Sequence, residues 1–243
     1  MKHRNDGYSD DFSRQSEEDH PPAIPAATVV LLRERETGAE VLMLHKNPEI
    51  DFGGLWVFPG GRIEEEDFAG TDDPNVAARN AAVRETVEEA GITVPGEDFI
   101  WFSHWTPPPR PGRRYATWFF VTGSDEDHQI MIDGEEMQNH QWINPGEALA
   151  RHARSEIDIV PPTWVTLYQL SRFDSVPETL AQLGQREPRY YTTHLGRNDE
   201  GFRTTMWSGD AGYDDWDATK SGSTHRLIMS PDGFEFLHSA VEY

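Results

Sequence analysis

The sequence predicts a mixed α/β fold, and three observations carry that prediction. An aliphatic run at 26–32 is answered, after a polar turn, by a second run at 41–44. A long stretch at 72–91 has both a start and a stop signal for a helix. Beyond it, strand-like and helix-like segments share the rest of the chain. Short apolar runs bounded by turn residues read as buried strands, and longer capped stretches read as helices.

Residues 26–32 and 41–44 form a hairpin around the polar turn 33–38. Residues 47–54 are a loop, and 56–58 a short strand stopped by Pro59, Gly60 and Gly61. In the helix 72–91, Asp73 suits the N-cap, Pro74 the first turn and Gly91 a left-handed stop. Strands are expected at 100–105 and 115–121, around a Pro-rich loop at 107–112, and at 139–143. Helices are expected at 145–152, 161–170 and 176–183. Past Pro188 the chain turns β-like, at 190–194, 202–207 and in a hairpin of 226–229 with 234–238. This divides the chain into a disordered acidic tail at 1–22, a main domain at 23–185 and a β-rich extension at 186–243. The extension is expected to pack on the core, since no flexible linker precedes it.

Composition excludes several functions. With 43 acidic residues against 21 basic ones, the formal charge of this 243-residue chain is −22. Duplex affinity comes mainly from Lys and Arg on phosphates, so nucleic acid is not an expected partner. The same field repels any anionic substrate, so phosphate chemistry here needs a local cation. There are only three lysines. Cysteine is absent, which removes disulfides, thiolate catalysis and cysteine-based zinc sites. No run approaches the roughly 18 apolar residues of a membrane span, and the N-terminus lacks the pattern of a secretory signal. A cytoplasmic protein with no membrane partner is the expectation.

On a helix, Glu85, Glu88 and Glu89 stand at i, i+3 and i+4 and share one face. Val76, Val83, Val87 and Ala90 are expected on the opposite, core-facing side, while Ala78, Ala81 and Ala82 continue the carboxylate face and leave room above it. Clustered carboxylate oxygens are what Mg²⁺ or Mn²⁺ binds; a solvated acidic face is the alternative. Arg84 is placed to orient a neighbouring carboxylate by a charge-assisted hydrogen bond.

Upstream lie Phe58-Pro59-Gly60-Gly61-Arg62-Ile63 and the acidic run Glu64 to Asp67. With the helix, this resembles the Nudix hydrolase family, whose signature is G-x5-E-x7-R-E-U-x-E-E-x-G-U, with U aliphatic. Gly61, Arg84, Glu85, Glu88, Glu89, Gly91 and Ile92 match it. Three departures stand out. The segment between the two halves is nine residues longer, Asp67 takes the first Glu position, and Thr86 replaces the aliphatic residue. Further matches run from 26 to 215 and include Leu44-His45-Lys46-Asn47-Pro48, Phe52, Gly54, Trp105-Thr106-Pro107, Gly134, Glu136, Trp142 and Ser208-Gly209-Asp210. They are similar to the branch of coenzyme A diphosphatases with a long insertion in this box.

The resemblance implies an α/β/α sandwich with a mixed sheet, plus a C-terminal helical and β extension. It implies metal-dependent hydrolysis of a phosphoanhydride in a nucleoside diphosphate linked to another moiety, first of all coenzyme A or an acyl-coenzyme A. The same chemistry on NADH, FAD or ADP-ribose is the alternative, as is a non-catalytic nucleotide sensor. The implied metal ligands are Glu85, Glu88, Glu89, Asp67 and the Gly60 carbonyl, for Mg²⁺ or Mn²⁺. Glu85, Arg84 and Glu136 are the catalytic candidates, with Glu136 either an extra ligand or a base. Arg62, Arg113 and Arg114 are the substrate-binding candidates, although arginines after a Pro-rich loop also suit plain surface charge. The expected partner is a small-molecule nucleotide; a homodimer is left open.

Overall fold

The structure, a computed structural model, describes residues 20–50, 53–110, 112–124 and 128–243. Most of the expected tail, Phe52 of the branch resemblance and Pro111 of the Pro-rich loop lie outside them. The chain forms two compact units. One comprises Pro25–His104 and Thr117–Arg189; the other comprises residues 20–24, Trp105–Ala116 and Tyr190–Tyr243 among the described residues. The sequence places the change near 185/186, but loop 105–116 also groups with the C-terminal residues.

In the first unit the expected hairpin is present and longer than its apolar stretches. Strands β1 (Ile24–Arg35) and β2 (Gly38–Lys46) pair antiparallel from Leu32 opposite Val41 to Arg35 opposite Gly38. Gly38 closes the turn with φ of 103°, a conformation that favours glycine. Next to β2 runs β3 (Trp56–Val57), and β4 (Gly60–Arg62) pairs antiparallel with β1. The double-glycine segment, read from sequence only as a turn, is therefore a strand. Beyond β1 the order continues with β6 (Tyr115–Gly123) and β5 (Ile100–Thr106), while β7 (Met137–Ile143) pairs with β2. The result is a large mixed sheet with helices.

Alternate residues of a strand point to opposite faces. Val29, Leu31, Leu42 and Leu44 join Ala78, Ala81 and Ala82 of α1 (Pro74–Ala90) in one core. Val30, Leu32, Val41 and Met43 are equally buried on the other face. There α2 (Pro145–Ala153) meets β2, and α3 (Pro161–Leu170) packs on α2. Helices thus cover both faces, as the aliphatic density of β1 and β2 requires. A fourth helix, α4 (Val176–Gly184), starts at the Ser175 cap.

Helix α1 has the predicted ends. Asp73 Oδ1 accepts from Asn75 N–H at 2.8 Å, and Gly91 adopts φ of 69°. Its expected polarity holds only in part. Ala90 is buried and Val83 packs partly against the core, but Val76 and Val87 are 39% and 43% exposed, whereas Ala78, Ala81, Ala82, Thr86 and Glu89 are buried. Small side chains let the helix approach the sheet closely, so the alanine face is the core face. Glu85 and Glu89 are carried in with it, while Glu88 stays exposed.

In the second unit, β8 (Arg189–Thr192) runs beside the end of β5, where Trp105 stacks on Tyr191 at 3.7 Å. The single strand expected at 190–194 breaks at Thr193, whose N–H turns to the Thr106 carbonyl and whose hydroxyl accepts from Trp207. A four-stranded antiparallel sheet follows: β9 (His194–Arg197), β10 (Arg203–Met206), β11 (Arg226–Ser230) and β12 (Gly233–Leu237). A buried bidentate pair of Arg226 with Asp210 fastens the intervening loop, and Asp210 also accepts from the N–H groups of Gly212 and His225.

Candidate active site

The double-glycine strand and the end of α1 build the site together. Thr28 Oγ1 donates to the Pro59 carbonyl at 2.7 Å, Val29 N–H donates to the same oxygen, and Ile63 N–H donates to Pro25. These bonds fix β4 against β1 and leave the Gly60 N–H pointing at α1. Glu89 Oε2 accepts that N–H at 2.9 Å. Gly61 lies directly under Glu85, and a methyl group there would collide with the Glu85 carboxylate. The need for glycine at 61 is therefore close approach, not backbone conformation.

Glu89 is 3% exposed, and its second oxygen, Oε1, has no hydrogen-bond partner. Burial pushes its carboxyl up to about 8 against an ordinary 4.5; the Gly60 N–H and the Lys46 charge oppose the rise, and Glu85 and Glu136 add to it. Glu85 is raised as well, chiefly by burial, with its bond to Arg84 opposing. Glu88 is 56% exposed at its side chain.

Arg84 spends its guanidinium entirely within this cluster. Nε and Nη2 donate to the two Asp67 oxygens at 3.2 and 2.9 Å. Nη1 donates to Glu85 at 2.8 Å and to Glu88 at 3.1 Å, and Nη2 also reaches the Arg62 carbonyl. Asp67, 4% exposed, accepts from the Glu64 N–H too. Expected from sequence as a metal ligand, Asp67 instead has both oxygens committed to Arg84. A short, largely exposed loop at 69–73 follows it before α1, and Asn80 Nδ2 donates to its carbonyl across that loop.

Glu136 comes to the same place from the turn before β7. The Asp133 carboxylate accepts from the N–H groups of Glu135, Glu136 and Met137. Asn47 binds the same turn twice, through its N–H to the Glu136 carbonyl and its side chain to the Glu135 carbonyl. Lys46 Nζ stands 4.0 Å from Glu136 Oε2. Sequence reasoning gave no role to Lys46, Asn47 or Asp133. One available signal was a lysine at a strand end, in an acidic chain with three lysines in all.

The predicted arginines fall in different units. Arg62 is exposed and pairs with Glu64 at 2.8 Å. Arg113 and Arg114 belong to the other unit. Arg114, expected as a phosphate clamp, is instead 1% exposed and donates to the Pro21 and Pro107 carbonyls. It is a tie between backbone segments.

Among the described residues, no three carboxylate or imidazole groups already stand close enough to cage a metal ion. Arg84 holds Glu85 and Glu88 in its place. The unpartnered Glu89 Oε1, buried beside Glu85 and near Glu136, is nonetheless the kind of donor a divalent cation satisfies. The residues present therefore fit a hard cation.

Residues 22–165, more than half of the chain, match the NUDIX domain family. The chain belongs to the Nudix family. A protein of Caenorhabditis elegans named "Putative nudix hydrolase 7" is 24% identical over 63% of this chain and 61% of its own length. One of Bacillus subtilis named "Putative 8-oxo-dGTP diphosphatase" is 29% identical over 49% of this chain and 66% of its own. The chain thus spans less than two thirds of the length of either relative. A crystal structure of a Nudix hydrolase from Alicyclobacillus acidocaldarius superposes with a TM-score of 0.60 at 20% identity, covering 68% of this chain and 99% of that one. This likeness supports the Nudix fold. Nudix hydrolases generally use divalent metal ions.

Proposed function

We propose that this Nudix domain hydrolyses a phosphoanhydride bond in a nucleoside diphosphate linked to a second group, with Mg²⁺ or Mn²⁺ as the cofactor. The observation that carries this is the buried, unpartnered Glu89 Oε1 beside Glu85. Glu85 and Glu89 would hold the cation, with Glu88 and Glu136 at the open side. A divalent cation bound there neutralises diphosphate oxygens and lowers the pKa of the attacking water.

The chain's own residues supply the rest. Glu136 takes the proton from the water as its oxygen attacks phosphorus; the anhydride P–O bond breaks and the leaving phosphate departs with that electron pair. Arg84, braced by Asp67, sets the rotamers of Glu85 and Glu88. The Gly60 N–H aims Glu89. Coenzyme A or an acyl-coenzyme A is the first substrate to try, on the branch resemblance of the sequence. NADH, FAD, ADP-ribose and an oxidised nucleotide such as 8-oxo-dGTP follow.

The test is incubation of the full chain with each compound and Mg²⁺ or Mn²⁺, with products identified by mass spectrometry. Coenzyme A cleaved to 3′,5′-ADP and phosphopantetheine supports the proposal in full. Cleavage of another compound keeps the reaction and replaces the substrate. No metal-dependent turnover across the panel, with tight binding of one nucleotide, would favour the sensor.

A further inference from the structure

We propose that Lys46 is the cation of this site that contacts the substrate's diphosphate. The inference rests on the hydrolase reading above and adds a residue to it. In a chain of net charge −22, a protein cation beside the divalent ion would add to the attraction of an anionic substrate, and the arginines at the carboxylates are occupied. All five N–H donors of Arg84 are engaged by Asp67, Glu85, Glu88 and the Arg62 carbonyl. Arg62 is paired with Glu64.

Lys46 differs from both. Its side chain is 18% exposed, and its ammonium group stands in a loose pair, 4.0 Å from Glu136. Its charge also reaches Glu89, which it favours in the ionised form against burial. An ammonium group carries three donors, and a 4.0 Å separation is beyond hydrogen-bond length. The group is therefore close enough to Glu136 to meet a phosphate bound at the carboxylates and is not consumed by them.

Its placement is built into the sheet. The β2–β7 ladder runs regularly to His45 opposite Asn139, and then Lys46 faces Met137, skipping Gln138. This bulge advances Glu136 by one residue along β2, and the Asn47 N–H to Glu136 carbonyl bond continues the new register. Bulges re-aim side chains next to active sites. Here the bulge sets Lys46 and Glu136 side by side, at a place where Glu89 Oε1 is buried and unpartnered.

The experiment titrates α,β-methylene-ADP, a non-hydrolysable diphosphate, into the full chain at saturating Mg²⁺ by calorimetry. Wild type, Lys46→Gln and Lys46→Arg are compared, and Mn²⁺ affinity is read separately by electron paramagnetic resonance. A charge-assisted hydrogen bond to phosphate predicts that Lys46→Gln weakens the analogue by about tenfold or more. Lys46→Arg should keep most of the affinity, and Mn²⁺ binding should stay within about twofold in both. Unchanged analogue affinity in Lys46→Gln would overturn the inference alone. So would a loss of Mn²⁺ affinity that accounts for the weaker analogue. An analogue that fails to bind the wild type would overturn the inference, whereas absence of turnover across the compound panel would overturn the hydrolase reading.

Discussion

Arg84 grips both oxygens of Asp67, at 3.2 Å from Nε and 2.9 Å from Nη2, across the nine-residue insertion in the Nudix box. A carboxylate that sequence comparison places among the metal ligands is thereby the brace of the arginine that holds Glu85 and Glu88. Removing it leaves a guanidinium with two vacant donors over those glutamates. Asp67→Ala should lower stability by roughly 3 kcal/mol, the cost of breaking a buried pair. It should also reduce kcat more than it raises KM. Urea unfolding and steady-state kinetics check the two effects.

Glu89 makes the metal-free protein pH-sensitive. Its folded-state pKa, about 8, lies above the ordinary 4.5, so the folded chain binds this proton more tightly than the unfolded one. The associated stability is fully present below 4.5, declines as pH rises, and is lost above about 8. Glu89→Gln should remove that part of the slope, read as the difference between the two proteins in urea unfolding across this window. Saturating Mg²⁺ should flatten the wild-type curve, because a cation favours the ionised carboxylate.

Gly61 tests the close approach of β4 and α1. A methyl group there meets the Glu85 carboxylate, so Gly61→Ala must displace either the strand or the glutamate. Overpacking costs about 1–3 kcal/mol. The same variant should weaken Mn²⁺ binding, measured by calorimetry, because Glu85 is the group pushed aside.

Asp133 tests the preorganisation of Glu136. Its carboxylate accepts three consecutive N–H groups, and without it the turn carrying Glu136 loosens. Asp133→Ala should lower kcat on the order of 10- to 100-fold with little change in KM, since a small misplacement of a reacting group is costly. Hydrogen exchange at Glu135–Met137 should rise in parallel. Asp133→Asn, which keeps one acceptor oxygen, should fall between the two.

What was legible in the sequence follows from the range of the interactions involved. The ends of α1 were readable because Asp73, Pro74 and Gly91 act within one turn. The hairpin and the helices after 145 were readable for the same reason. Which side of α1 is buried was legible only in part, because hydrophobicity favours its valines inward, whereas Val76 and Val87 are exposed and Ala78, Ala81 and Ala82 fill the core. Strand β4 was hidden by its composition, since glycines at a strand position speak for a turn until the pairing with Ala27 and Thr28 is known. At the site, Glu85, Glu88 and Glu89 stand out by their helical spacing together with the double-glycine segment and the family resemblance. Asp67, Arg114 and Lys46 had roles set by partners at sequence distances of 17, 93 and 90 residues, which no local pattern encodes.

Whether Glu85 and Glu89 form a divalent-cation site is decided by Mn²⁺ titration followed by electron paramagnetic resonance. The wild type should bind Mn²⁺ saturably, in competition with Mg²⁺, and Glu89→Gln should lose at least about tenfold in affinity. Equal Mn²⁺ affinity in the folded Glu89→Gln protein, or no specific binding by the wild type, would contradict such a site.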